Sequence, residues 1–493
     1  MPVRGRSRNT RFMSEIHAKK YRERERIPMK PGTGQWLLLA AVLFVLAAIV
    51  SNPLEAFSPS PEVCPPMIIA DPNKPGLVSN SDTNGLATHP RIATEKLSDG
   101  NTAVYLVWEE DRIIRNAEGK EISRNREIWL KRVVFKSPCE VDTEKTKMYD
   151  AFPVSGTPTS GVSSAPDLAL TGRGTGLIVW QDSVQGPENQ WDIPMVYLKR
   201  FAFTAGKDGK PILKLDDLLN ISEVSWAAEN PSVVADRSGG IYVAWVQATR
   251  DRGTEIFFRS SAPFAPKVDV SRSLTGIAGS PRLAMDAAKM YVVWQGTSDP
   301  ATGTESEEIF ISQAGNAGGS FFRPAFSLPW NISGPFSPGK SVEPTIAIEK
   351  NAQVVVWSDN SLQSDSEIFL RRSTEGFFPP FNVSGNCEPK NVGHSSQPTA
   401  TESGGDILVA WRESKGISDT DIYFARSNFR PEDPFPCVNV SAPQPAQPNQ
   451  PKQSPGLSRL PALVADSSGN AYIAWEEEVS AGTTEIHLAV VKK

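Results

Sequence analysis

Apolar and polar positions follow one order along this chain and repeat it seven times between Pro90 and Val491. Each copy opens with a proline and a short apolar segment: Pro90-Arg91-Ile92-Ala93, Pro166-Asp167-Leu168-Ala169, Pro231-Ser232-Val233-Val234, Pro281-Arg282-Leu283-Ala284, Pro344-Thr345-Ile346-Ala347, Pro398-Thr399-Ala400 and Pro461-Ala462-Leu463-Val464. A run apolar at nearly every position follows and ends at Trp108, Trp180, Trp245, Trp294, Trp357, Trp411 or Trp475. Such short, continuously apolar runs predict strands covered on both faces. After a polar loop come an acid, an isoleucine and usually an aromatic, as in Glu255-Ile256-Phe257, Glu308-Ile309-Phe310 and Asp421-Ile422-Tyr423. Most units close on a fourth element, such as Asn220-Ile221-Ser222, Asn331-Ile332-Ser333, Asn382-Val383-Ser384 or Asn439-Val440-Ser441.

Four short strands per unit, at a period of about 60 residues, predict an all-β chain: a seven-bladed β-propeller with four-stranded blades. Proline is expected at the first residue of each innermost strand, where a missing donor costs no ladder bond. The tryptophans are expected as wedges between blades. The seventh copy ends at Lys493 after three strands, whereas Leu77-Val78-Ser79-Asn80 resembles the fourth element and has no blade of its own. Within a propeller domain spanning 76–493, residues 76–80 are therefore expected to close blade seven and leave no open edge. The sequons at Asn220, Asn331, Asn382 and Asn439 fall on the fourth element itself, and strand-edge geometry explains their recurrence better than glycosylation does.

Ahead of the repeats, residues 1–34 carry ten Lys or Arg against three Glu, and Trp36 to Val50 is unbroken apolar sequence. This predicts a basic cytoplasmic segment (1–34), a transmembrane signal-anchor helix (35–51) and a proline-rich linker (52–75). A cleaved signal peptide is the other reading. With the anchor retained, the chain is a single-pass cell-membrane protein with a cytoplasmic N-terminus and an extracytoplasmic propeller. Pro443 to Pro455, rich in Pro and Gln, reads as a surface excursion between blades six and seven.

The whole chain has 51 basic and 56 acidic residues, so the part after residue 34 keeps 41 and 53. A net charge of about −12 there excludes nucleic acid as a natural partner. Four cysteines in an exported chain allow three pairings. Cys64 with Cys139 and Cys387 with Cys437 suit the strand positions best, and four free thiols are the other reading. The four histidines show no zinc spacing, and neither a Ser-His-Asp motif nor a nucleotide-binding glycine loop is present.

Trp357-Ser358-Asp359, Glu367-Ile368-Phe369, Arg371-Arg372-Ser373-Thr374-Glu375-Gly376 and Asn382-Val383-Ser384 form the best-preserved copy of a pattern that resembles the sialidase-like propellers of bacterial surface proteins, with Asp-box or BNR-like repeats. The resemblance spans almost the whole region after the linker. The Asp-boxes are degraded: Ser373-Thr374-Glu375-Gly376-Phe377 has no Asp. A sialidase resembling that family needs three arginines around a carboxylate, a tyrosine nucleophile activated by glutamate, and an aspartic acid. Arg91-Ile92-Ala93 is the nearest match to its Arg-Ile-Pro motif and lacks the proline. Tyr105, Tyr242, Tyr291 and Tyr472 lie in the tryptophan strands as core residues, and Tyr149, Tyr197 and Tyr423 have no catalytic context.

The residue after each opening proline carries the sharper signal. Arg91, Asp167 and Arg282 are expected at the channel mouth as a cradle for a carboxylate or sugar, against the alternative of a merely hydrated channel. Acidic stretches such as Glu109-Glu110-Asp111, Asp299 with Glu305 and Glu307, Asp359 with Asp365, and Glu476-Glu477-Glu478 are expected in rim loops, solvated or holding Ca²⁺. No other cofactor is expected. These readings favour a non-catalytic module that binds a cell-surface protein or glycan. A sialidase-like glycoside hydrolase and a scaffold subunit of an envelope complex are the alternatives.

Overall fold

The computed structural model describes residues 61–70 and 86–493, interrupted in loops such as 185–192, 298–305, 316–323, 428–434 and 443–456. Among the described residues the chain is all-β and propeller-like. Antiparallel meanders follow one another in sequence, with inner strands Thr88–Lys96, Ser163–Gly172, Ala228–Ala235, Gly276–Met285, Ser341–Glu349, His394–Ser403 and Leu457–Ala465. Each inner strand pairs with the tryptophan strand that follows it. Each tryptophan strand in turn pairs with the strand carrying the acid-isoleucine motif.

Successive inner strands touch in chain order, and Leu457–Ala465 also touches Thr88–Lys96. The cores repeat that circle. Trp294 and Phe310 pack against Tyr242, Ala244 and Phe258 of the preceding meander; Trp357 and Phe369 pack against Val293, Ile309 and Ile311. Trp108 and Trp129 of the first meander close the series on Tyr472, Ile486, Leu488 and Val490 of the last. The repeated tryptophans are thus wedges between neighbouring sheets. Each motif aromatic is the tryptophan's cross-strand neighbour, as for Trp294 and Phe310, whose rings stack at 5.9 Å.

The indole N–H groups explain where many acids go. Trp108 donates to Glu110 at 2.9 Å, Trp357 to Asp359 at 3.0 Å, Trp411 to Glu413 at 3.1 Å and Trp475 to Glu477 at 2.8 Å. Three of these carboxylates also accept from inner-strand serines: Asp359 from Ser341, Glu413 from Ser395 and Glu477 from Ser458, each at 2.6 Å. This corrects the rim-loop expectation: Glu109, Glu110, Asp359 and Glu476 are buried within strands. Asp299 and Glu305 lie outside the described residues. No group of three or more His, Cys, Asp or Glu among the described residues is arranged to hold a metal ion.

The fourth element works as a bracket. Ser333 Oγ accepts the Ile309 N–H at 2.9 Å and donates to Glu308, while the Asn331 side-chain oxygen accepts the Gly334 N–H at 2.8 Å. The bracket recurs at Ser384 and Asn382, and at Ser441 and Asn439. The sequon asparagines therefore serve the turn.

Two further expectations need correction. The prolines sit inside the inner strands, where pairing slips at each of the seven X-Pro steps, for instance between Gly279 and Arg282. The residue before each proline has positive φ: His89, Ala165, Asn230, Ser280, Glu343, Gln397 and Leu460, between 49° and 56°. A bulge absorbs both the missing donor and the strained residue. Second, the strand that pairs with Thr483–Val491 is Met67–Ala70, not 76–80. Residues 77–80 lie outside the described residues, and Met67–Ala70 already occupies the edge where they were expected.

Both favoured disulfides are present, Cys64–Cys139 and Cys387–Cys437. Residues 1–34, the apolar run Trp36–Val50 and most of the linker lie outside the described residues. No described helix is long and apolar enough to cross a membrane.

Candidate functional site

Each bulge places the residue after its proline opposite the residue just before the tryptophan: Arg91 opposite Val107, Asp167 opposite Val179, Arg282 opposite Val293. Arg91 and Arg282 fold back alike, each donating through Nη1 to the carbonyl of its own proline at 2.9 Å. A guanidinium has five N–H donors, so this bond fixes the fork without exhausting it.

The three expected residues come together electrostatically. Arg282 is only partly exposed, and burial lowers its pKa to about 10, with Arg91 lowering it further and Asp167 and Glu343 opposing. A group enclosed by protein but still touched by water fits the lining of a narrow channel. Asp167 is held from two sides, accepting the Val233 N–H at 2.9 Å and the Leu168 N–H at 3.0 Å.

Two members of this cluster were not foreseen. Glu343, the strained residue before Pro344, is raised by burial against the opposing effects of the Gln397 N–H, Arg412 and Arg282. Arg412, one past Trp411, is lowered by burial and by Arg459, with Glu343 opposing. Its Nε is buried without a hydrogen-bond partner among the described residues. Arg459 pairs with Glu476 and Glu478 at 2.9 and 3.0 Å. The signal for Glu343 and Arg412 lay in the repeat: the residue before proline and the residue after tryptophan face the same circle as the residue after proline.

The bulge N–H groups are satisfied across neighbouring meanders. Gln181 accepts from Asn230 at 2.8 Å, Gln295 from Glu343 at 2.9 Å, Glu343 from Gln397 at 2.6 Å and Gln397 from Leu460 at 2.9 Å.

The described tyrosines have other duties. Tyr242, Tyr291 and Tyr472 donate to turn carboxylates Asp236, Asp286 and Asp466, and burial together with those acids raises their pKa. Tyr105 donates likewise to Glu95 at 3.0 Å. Tyr197 is also raised by burial, and Tyr423 is buried under Trp411. A nucleophile needs the opposite shift. Tyr149 lies outside the described residues.

No family model matches the chain. In sequence it is 28% identical over 167 residues to the Leu/Ile/Val-binding protein homolog 7 of Brucella abortus strain 2308, over 32% of this chain. The chain spans only 37% of the length of that relative. In structure it is similar to Penicillium chrysogenum alpha-L-arabinanase complexed with arabinobiose, at 13% identity over 68% of this chain and 95% of that one, with a TM-score of 0.44. It is also similar to Trypanosoma rangeli sialidase with the inhibitor DANA, at 9% identity over 89% and 59%, with a TM-score of 0.43. The GH93 alpha-L-arabinofuranosidase of Fusarium graminearum matches at 13% identity over 67% and 93%, with a TM-score of 0.44. These neighbours are a sialidase, an alpha-L-arabinanase and an alpha-L-arabinofuranosidase, and at such scores they carry no argument about this chain's chemistry.

Proposed function

We propose that the chain is a membrane-anchored, extracytoplasmic seven-bladed β-propeller whose channel mouth binds a carboxylate-bearing glycan without cleaving it. One observation carries this reading: Arg91, Arg282 and Arg412, from three different sheets, are linked electrostatically through Arg282 and Glu343, with Asp167 and Glu343 acting as counter-charges. Three guanidiniums against two carboxylates leave an excess positive charge in a chain that is otherwise acidic, and bidentate guanidinium forks suit a carboxylate. The basic N-terminus and apolar run supply the anchor in this reading, and the proline-rich linker holds the ring off the bilayer.

The test is calorimetric titration of the full chain with N-acetylneuraminic acid, glucuronic acid and neutral galactose. Binding of the acids alone, lost in Arg91→Ala/Arg282→Ala, supports the reading. Equal binding of galactose, or acid binding that survives the double substitution, rejects it.

A second reading, a glycoside hydrolase, is favoured by the contrast between Glu343, whose pKa is raised, and Asp167, braced by two N–H donors. Paired carboxyls in unlike environments are how glycosidases divide acid and base duties. Release of methylumbelliferone from sialosides and arabinosides by the full chain, abolished in Asp167→Asn, separates it from the binding reading.

A further inference from the structure

We propose that Glu343 is a built-in competitor for Arg282 and Arg412, so that its ionisation sets how strongly the channel mouth takes an anion. The inference rests on the glycan-binding reading and adds its regulation. Glu343 is fixed in place from several sides. Its φ of 56° and the following Pro344 lock the bulge, its N–H is held by Gln295 at 2.9 Å, and its Oε2 accepts the Gln397 N–H at 2.6 Å. Its carboxylate thus sits at Gln397, whose neighbour Ser396 pairs in register with Arg412, and it acts on Arg282 and Arg412 as the carboxylate of a ligand would.

The charged groups acting on Glu343 come from the sheets on either side: Arg282 on Gly276–Met285 and Arg412 on Asp406–Gly416. The neighbours on Lys289–Thr297 and His394–Ser403 that bond to it, Gln295 and Gln397, are neutral. Glu308, on Glu307–Gly315, which also packs on this inner strand, is acted on by Asp359 instead. Beyond Arg282 stand Arg91 and Asp167, and beyond Arg412 stands Arg459.

With Glu343 ionised, Arg91, Arg282 and Arg412 face two carboxylates. With it protonated they face Asp167 alone, and the excess charge doubles. Burial raises the pKa of Glu343, so it gains its proton ahead of ordinary surface carboxylates as the medium acidifies. Anion affinity should therefore rise as pH falls.

The experiment is calorimetric titration of the full chain and of Glu343→Gln with N-acetylneuraminic acid at pH 7.5 and 5.5. Acetate serves as a control for a bare carboxylate. Glutamine keeps an acceptor for the Gln397 N–H and removes only the charge. The expected result is affinity roughly ten-fold higher in Glu343→Gln at pH 7.5, with the pH dependence of the wild type abolished. Equal affinities and equal pH dependence, with binding still lost in Arg91→Ala/Arg282→Ala, overturn this inference and leave the binding reading standing. No binding by either protein at either pH overturns both. Should Glu343→Gln fail to fold, the wild-type profile extended stepwise to pH 4.5 decides: affinity that does not rise as pH falls from 7.5 to 4.5 refutes the competitor role.

Discussion

Ring closure depends on a short segment far from the last meander in sequence, and the Cys64–Cys139 disulfide is its fastening. Cys64 donates its N–H to Val490 at 2.8 Å, and Lys492 donates to Glu62 at 2.9 Å, so the segment leading into the outer strand Met67–Ala70 also lies along the final sheet. The cysteine then bonds to Cys139 of the first meander, 75 residues on. Replacing both by alanine releases a loop whose closure entropy stabilises the fold by about 4.5 kcal/mol in the chain-entropy account. Residues 60–493 form one compact unit. At about 2.1 cal/mol/K per residue its unfolding entropy is about 0.9 kcal/mol/K, which translates to a fall in melting temperature of about 5 °C. Cys387→Ala/Cys437→Ala, closing a 50-residue loop, should cost about 4 kcal/mol by the same rule. The two variants differ in where they loosen the molecule. Hydrogen exchange by mass spectrometry should show lost protection at the Cys64 and Lys492 amides in the first variant only, because an unfastened edge strand opens locally. A melting temperature within 1 °C of the wild type, or equal protection of residues 62–70 in both variants, refutes the clasp.

Two other predictions follow from the repeat's internal chemistry. Ala165 sits at φ 49°, where a Cβ is costly, so Ala165→Gly should stabilise by about 0.5–1 kcal/mol while Ala169→Gly, later in the same strand, should destabilise by a similar amount; denaturant titration of both reads the sign. Glu413 has one oxygen engaged by Ser395 and Trp411 and the other buried without a partner among the described residues, and burial with Glu367 nearby raises its pKa. A raised carboxyl contributes stability fully below the unfolded value of 4.5 and loses it as pH rises through the folded value. Glu413→Gln should thus melt higher than wild type at pH 7.5 and level with it near pH 4, as scanning calorimetry would show.

Much of the fold was legible because its strongest signals are periodic and apolar. Seven tryptophans ending apolar runs announced strands buried on both faces, and the aromatic of the acid-isoleucine motif proved to be the tryptophan's cross-strand partner. The disulfides followed once strand order was known. The bulge was not legible: His89, Ala165, Asn230, Ser280, Glu343, Gln397 and Leu460 share a conformation and no chemistry, so only backbone geometry unites them. The acids misled in another way. Charge ordinarily marks a loop, but an indole N–H buried between sheets needs an acceptor, and carboxylates two residues past the tryptophan are drawn inside to meet it. The closing strand was displaced because Met67–Ala70 carries none of the Asn-Val-Ser pattern that marks the other fourth elements.

The channel cluster arises where the repeat substitutes one acceptor for another. In the second and fourth meanders the residue after tryptophan, Gln181 or Gln295, accepts the bulge N–H of the next meander. The fifth and sixth have Ser358 and Arg412 at that place, and arginine has no acceptor to offer. The bonds are made nonetheless, because the bulge residues Glu343 and Gln397 reach forward to Gln397 and Leu460 instead. Glutamine at position 412 would satisfy the backbone as Gln295 does, and glutamine at 343 would serve as Gln397 does. Stability alone therefore asks for neither a guanidinium nor a carboxylate there. The charges are surplus to the fold and stand beside Arg282, where burial makes them expensive to keep. A cost that the architecture could have avoided twice, at adjacent points on the same circle, is what the anion-binding role proposed for the channel mouth calls for.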